Sequence, residues 1–221
     1  MISLAEARRN MVDCQLRPFE VHDRAVLGAI GSIPRETFLP ADMASLAYRD
    51  GNLALPASGP EGEERALLAP MVLARLIQAL EIEPGTRVLD VAGGYGYSAA
   101  ILRHLGAAVT TLESSPALAG LDANLGPLLE GVTRRTGDLA QGAPADGPFD
   151  AILINGAVDR EPTELLTQLA EGGRLACLRA EGRRSRAMLF VRSGPGFGSR
   201  PLFDAAAPSL AAFREVPGFV F

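Results

Sequence analysis

From Leu4 to Gln15, and again from Asp23 to Ile30, apolar residues recur at close to helical spacing. Pro34 ends the second run, because proline has no N–H with which to continue a helix. Two short helices are therefore expected ahead of the main fold. Between Pro40 and Pro70 the periodicity lapses: Pro56, Gly59, Pro60 and Gly62 are followed by Glu63, Glu64 and Arg65. Such a density of Gly and Pro reads as a long loop, and long loops in compact chains are often functional lids.

Helical spacing returns from Met71 to Leu80. Thr86-Arg87-Val88-Leu89-Asp90-Val91 follows as a short apolar run between Gly85 and a glycine cluster, the pattern of a buried strand. The chain then alternates: a helix near Ser98–Leu105, a strand at Val109–Leu112, a helix near Pro116–Leu129, a short strand at Val132–Arg134, a strand at Phe149–Ile154, a helix at Pro162–Leu169 and a strand at Arg174–Leu178. Alternating strands and helices predict a parallel sheet covered on both faces. The ending differs, because Ala187–Val191 is joined through the Gly-rich stretch Ser193–Ser199 to Pro201-Leu202-Phe203, which predicts an antiparallel pair. The expected class is α/β, a Rossmann-like fold with a mostly parallel sheet and an antiparallel C-terminal end. It is expected as one domain over residues 1–221, with 1–70 supplying the N-terminal helices and lid and 71–221 the core.

Composition narrows the partners. The chain has 221 residues, 48% of them apolar, enough to bury one substantial core. Its 21 basic residues, all Arg, face 26 acidic ones, so no basic field is available to gather a phosphate backbone or an anionic lipid surface. Neither nucleic acid nor membrane is an expected partner. Cys14 and Cys177 form no C-x-x-C pattern, so they read as reduced thiols without a metal, Cys177 inside a buried strand. Met1–Arg9 lacks the apolar core of a signal peptide, and Arg75 interrupts the apolar stretch from Leu67 to Ile82, so a cytoplasmic protein is expected.

A ligand of a doubly wound sheet binds outside the carboxyl ends of the strands, where glycines admit backbone and the next helix presents free N–H groups. Asp90-Val91-Ala92-Gly93-Gly94-Tyr95-Gly96 lies at such an end. It is close to the acid-x-Gly-x-Gly-x-Gly loop of Rossmann-like methyltransferases, with Ala92 at the first glycine position, where Ala is tolerable only if φ is negative. Glu113 closes the second strand about 20 residues on, placed to accept hydrogen bonds from two ribose hydroxyls. These residues specify a nucleoside without choosing it, since Gly94-Tyr95-Gly96-Tyr97-Ser98-Ala99 also fits the G-x-G-x-x-A dinucleotide pattern.

Gly137-Asp138-Leu139, after the third strand, tips the choice toward S-adenosyl-L-methionine: a methyltransferase would set the Asp138 carboxylate on the adenine amino group and Leu139 against the ring. The helix, Gly172-Gly173 turn and strand over Leu166–Leu175 are likewise of a kind common late in methyltransferase folds. Asn155 stands where many methyltransferases face the transferred methyl, with a turn role for Asn155-Gly156 as the competing reading. Tyr95 and Tyr97 are candidates to line the pocket or to pack on the neighbouring helix. His22 and His104 read as surface or helix residues, and Arg183, Arg184 and Arg186 as a solvated connection.

Over nearly its whole length the chain resembles the protein-L-isoaspartate O-methyltransferase family. The resemblance is carried by Ile33-Pro34-Arg35-Glu36-Thr37-Phe38-Leu39-Pro40, Ala47-Tyr48-Arg49-Asp50, Ala69-Pro70, Val88–Ala99 and Phe149-Asp150-Ala151-Ile152-Leu153-Ile154. It implies S-adenosyl-L-methionine as cofactor and an isoaspartyl-containing peptide or protein as substrate, methylated on its α-carboxyl. A carboxylate acceptor is already ionised near neutral pH, so proximity and exclusion of water, not a general base, would supply most of the acceleration.

One departure bears on activity. The family carries a Thr-Ile-Ser-x-Pro type segment whose Ser hydroxyl lies at the reacting carboxylate, and here the segment is Ala66-Leu67-Leu68-Ala69-Pro70. Leu68 takes the Ser position of the catalytic site and can neither donate nor accept a hydrogen bond. Loss of one positioned donor costs on the order of a hundredfold in rate where it acts in the transition state. Glu61, Glu63 and Glu64 would repel an anionic substrate if they faced the pocket, but are expected as a solvated loop surface. The functions left open are an isoaspartyl carboxyl methyltransferase, a diverged methyltransferase with another substrate, and a cofactor-binding protein with little turnover, with a nicotinamide oxidoreductase a distant fourth.

Overall fold

The structure, a computed structural model, describes residues 2–56, 63–119, 125–181 and 184–214. Local chemistry fixes the first helices. Ser3 caps α1 (Leu4–Met11) by accepting from the Glu6 N–H, and Asp23 caps α2 (Arg24–Ser32) by accepting from the N–H groups of Ala25 and Val26. Between them the coil widens to a π-turn over Val12–Leu16, so the expected first helix continues past Met11 with a changed pitch.

Between Pro40 and Pro70 the described residues form regular elements where their composition predicted a loop. A 3-10 helix covers Ala41–Leu46, and β1 (Leu53–Ala54) pairs antiparallel with β2 (Ala66–Leu67). Gly59, Pro60, Glu61 and Gly62 lie outside the described residues. Helix α3 (Pro70–Leu80) then opens on its proline, where the missing N–H would have no partner in any case.

The main sheet contains β3 (Arg87–Val91), β4 (Ala108–Glu113), β5 (Thr133–Thr136), β6 (Phe149–Val158), β7 (Leu169–Glu181), β8 (Arg184–Ser193) and β9 (Gly196–Asp204). Their spatial order is β5-β4-β3-β6-β7-β8-β9, parallel from β5 through β7 and antiparallel at β7-β8 and β8-β9. The Rossmann-like class and its antiparallel ending are therefore as expected. Alternate residues of one strand serve opposite faces. Ala151 and Leu153 of β6 join the core under α3 and α4 (Tyr97–His104), whereas Ile152 and Ile154 pack with Leu165 and Leu166 of α6 (Thr163–Thr167).

Several boundaries differ from the expected ones. Asn155 and Gly156 lie within β6 and form no turn; a Cβ on Gly156 would come within 2.6 Å of Leu210 Cγ, so a close approach from the C-terminal segment requires the glycine. Gly172-Gly173 belongs to β7, with φ 72° at Gly172 and a register shift beside it, so the anticipated tight turn is a bulge in a longer strand. The helix expected to reach Leu129 is described as α5 (Pro116–Ala119), followed by a 3-10 turn at Gly126–Leu128, with 120–124 outside the described residues. Cys177 is buried in β7 and Cys14 is exposed. Among the described residues no helix is long and apolar enough to cross a membrane, and no group of three His, Cys, Asp or Glu side chains could hold a metal.

Candidate active site

Strand order reverses between β3 and β6, so their carboxyl ends open a crevice. Asp90 and Asn155 stand there. Asp90, fully buried, accepts through Oδ2 from Ser98 Oγ at 2.7 Å and through Oδ1 from Asn155 Nδ2 at 2.7 Å. Asn155 Nδ2 also donates to the Val91 carbonyl at 3.0 Å. Burial pushes the Asp90 carboxyl up to about 6, against the pull of the Ser98 and Asn155 donors. Asp90 lines the small cavity at the glycine loop with each carboxylate oxygen bonded within the protein, and Asn155 commits its amide nitrogen to β3. They shape the glycine loop from behind.

Ala92 has φ 60°, which overturns the expectation of a negative value. The loop keeps its glycine-like path because the Ala92 N–H donates to the Leu112 carbonyl at 2.9 Å, and the alanine bears a strain of about 1–2 kcal/mol. Gly93 is required by contact: a Cβ there would lie 2.5 Å from Asp90 Oδ2 and 2.8 Å from Ser98 Oγ. Gly94 and Gly96 have φ 60° and 96°, and Leu55 of the short hairpin segment lies so close that a Cβ on Gly94 would meet its Cδ1 at 2.7 Å. Tyr95 borders the small cavity at this loop, whereas Tyr97 packs edge-on against Phe38 in the core.

Glu113 ends β4 beside the loop. Its Oε1 accepts from the Gly94 N–H at 2.5 Å and its Oε2 from Arg65 Nη2 at 2.9 Å. Burial pushes its carboxyl up to about 7, opposed by the Arg65 guanidinium and the Gly94 N–H. Arg65 Nη2 reaches Ser114 Oγ as well, at 3.0 Å. Glu63, expected on a solvated surface, is instead buried and accepts from the Ala211 N–H at 2.6 Å, while Glu64 is exposed. Beyond Ser114 a cavity of about 360 Å³ is lined by Asp138 and Leu139. Asp138 is exposed, with Oδ1 accepting from the Ala140 N–H, and Leu139 is buried beside it.

The two segments that carried the family resemblance meet in space. Arg35, fully buried, donates from Nε to the Ala47 carbonyl at 2.8 Å and from Nη2 to the Leu68 carbonyl at 2.6 Å, and its guanidinium lies 5.0 Å from the Tyr97 ring centre. The Tyr48 hydroxyl donates to Glu36. Leu68 itself is buried in the main core and brings no polar side-chain atom to the site. Sequence reasoning missed Arg65 and Ser98 as site residues, and read Arg35 only as part of a motif. Arg65 follows Glu63-Glu64 directly, in a charged triplet that gives no sign of its burial.

The remaining candidates lie elsewhere. His22, Arg75 and Gln78 border a larger cavity of about 750 Å³, but its groups serve one another: Arg75 pairs with Glu20 at 2.5 Å and covers the Phe203 ring at 4.0 Å. Its size does not make it the reactive site, because the convergent carboxylates and glycines are at the sheet's carboxyl edge. His104 is exposed at the end of α4. Arg186 pairs with Asp204 at 2.9 Å, and Arg183 and the Arg184 side chain lie outside the described residues.

A nucleoside cofactor fits these residues: the loop has no room for side chains at Gly93 and Gly94, a carboxylate ends β4, and an exposed carboxylate with an apolar neighbour follows β5. Together with the antiparallel ending of the sheet, this defines a Rossmann-like methyltransferase. The family model for protein-L-isoaspartate(D-aspartate) O-methyltransferase matches residues 7–197. A protein-L-isoaspartate O-methyltransferase of Methylorubrum populi is 42% identical over 76% of this chain and 77% of its own length. A second, from Rhodopseudomonas palustris, is 40% identical over 97% of this chain and 84% of its own. A solved protein-L-isoaspartate O-methyltransferase superposes with a TM-score of 0.78 at 28% identity, covering 92% of this chain and 66% of that one. The chain belongs to the protein-L-isoaspartate(D-aspartate) O-methyltransferase family.

Proposed function

We propose that this chain is an S-adenosyl-L-methionine-dependent O-methyltransferase that esterifies the α-carboxyl of isoaspartyl residues in peptides and proteins. The observation that carries the reading is the ordered set of Gly93–Gly96, Glu113 and Asp138 on successive strand ends, in a chain of this family. The bound cofactor supplies an electrophilic methyl on a sulfonium. Glu113 would accept from the ribose hydroxyls and Asp138 from the adenine amino group, Leu139 would face the ring, and the loop backbone would receive the rest of the cofactor. Asp90, Ser98 and Asn155 act through the loop they shape. The hairpin over the loop is the lid that excludes water. An ionised acceptor needs only to be held in line and desolvated.

Leu68 favours a second reading, a methyltransferase of the same fold whose acceptor is not an isoaspartyl group, because an apolar side chain stands at the family Ser position. Incubation with labelled cofactor and a matched pair of isoaspartyl and aspartyl peptides separates the two. Base-labile label on the isoaspartyl peptide alone supports the first reading. Cofactor binding with neither peptide labelled supports the second.

A further inference from the structure

We propose that Arg65 is an intramolecular occupant of the cofactor site, so that the nucleoside and the Arg65 guanidinium compete for the Glu113 carboxylate. The inference rests on the reading of Glu113 as the ribose acceptor. Both Glu113 oxygens are already engaged, Oε1 by Gly94 and Oε2 by Arg65, and the Arg65 side chain is only 3% exposed. Its Nη2 reaches one residue on each of two cavities. Glu113 borders the cavity at the glycine loop, which measures about 30 Å³, and Ser114 borders the Asp138 cavity of about 360 Å³. Arg65 Nη2 bonds to both residues. Small-molecule pockets are of the order of 300–1,000 Å³, so the glycine-loop cavity as it stands does not admit a nucleoside bearing an amino-acid tail. A ribose hydroxyl on Glu113 Oε2 would take the place of the Arg65 Nη2 donor.

The arrangement is poised for that exchange. Arg65 Nε lies 3.7 Å from Glu63 Oε2, too far for a hydrogen bond, and neither Nε nor Nη1 has an acceptor among the described residues. A buried guanidinium with two unmet donors gains hydration on leaving. The carboxylate it vacates takes two hydroxyl donors in return. The Glu63 carboxylate lies beside the cation as a second ion-pair partner, fixed by the Ala211 N–H. In this arrangement the guanidinium keeps Glu113 paired and lowers the affinity of whatever must displace it.

Isothermal titration with S-adenosyl-L-homocysteine tests this on the full chain, comparing the natural protein with Arg65→Gln, Arg65→Lys and Glu113→Gln, each checked for folding by circular dichroism. Arg65→Gln should bind about tenfold tighter, with Arg65→Lys between, because one charge-assisted bond no longer has to be broken. Equal or weaker binding by Arg65→Gln overturns the proposal. Should that variant not fold, peptide-resolved phenylglyoxal labelling of the natural protein decides. Arg65 should be protected alone and become labelled at saturating S-adenosyl-L-homocysteine; protection in both states overturns the proposal. Absence of binding in every folded chain removes the cofactor reading and this inference with it. Binding that is lost in Glu113→Gln and unchanged in Arg65→Gln removes only the inference.

Discussion

The side-chain amide of Asn155 donates to Asp90 Oδ1 at 2.7 Å across the point where strand order reverses, tying β6 to the strand that begins the glycine loop. Because Asp90 is fully buried, it cannot replace this donor with water. Asn155→Ala should therefore destabilise the fold by about 1–3 kcal/mol, as a buried acceptor left without a partner does. Urea denaturation measures it. A midpoint unchanged from the natural chain would show that the bond contributes little and that the loop is held by Ser98 alone.

Glu113 gives stability a pH dependence with a definite sign. Burial raises its carboxyl from 4.5 to about 7 in the folded protein, so between these values the folded state binds more protons than the unfolded one. Its contribution is fully present below about pH 4.5 and is lost as pH rises through about 7. The stability difference between the natural chain and Glu113→Gln should thus fall across that window, by on the order of 3 kcal/mol. Denaturation at pH 4.5, 6 and 8 reads the slope; a flat difference would place the carboxyl in contact with solvent.

The alternation of short apolar runs with helical spacing made the sheet and its antiparallel ending legible, because both faces of β3 and β6 are covered and demand apolar residues. Strand ends were less legible. Asn155-Gly156 and Gly172-Gly173 are turn-like in composition, yet one pair accommodates Leu210 and the other a bulge. In the site, Glu113 and Asp138 were identifiable as acids on consecutive strand ends. The buried Arg35 and Arg65 were not, since a cation whose partners are the carbonyls of Ala47 and Leu68, or the carboxylate of Glu113, leaves no periodic trace.

Ala92 offers a test of strain in the loop. At φ 60° its methyl carries about 1–2 kcal/mol of backbone strain, which glycine would relieve. Glycine would also lose a buried methyl and gain freedom in the unfolded chain, together roughly 1–2 kcal/mol in the other direction. Ala92→Gly is therefore expected to be near neutral. Ala100→Gly, buried in α4, lacks the compensation and should cost about 1–2 kcal/mol. Equal losses in the two variants would contradict the strained conformation.

Leu68 separates chemistry from stability within one substitution. Its carbonyl is held by Arg35 and its side chain is 1% exposed in the main core, so Leu68→Ser should lower stability by about 2–4 kcal/mol through the lost apolar contacts. The same change restores a hydroxyl at the family Ser position, on a segment whose path the Arg35 bond still fixes. If that hydroxyl serves the acceptor carboxylate, single-turnover methylation of an isoaspartyl peptide at saturating cofactor should rise by on the order of a hundredfold in the variant, measured well below its melting temperature. Cofactor affinity should not change, because Glu113 and Asp138 lie on other elements. The natural chain is accordingly expected to be a slow isoaspartyl methyltransferase. Vigorous turnover by the natural chain, with no gain in Leu68→Ser, would show that a backbone N–H or another donor already holds the acceptor and that the hydroxyl is dispensable here.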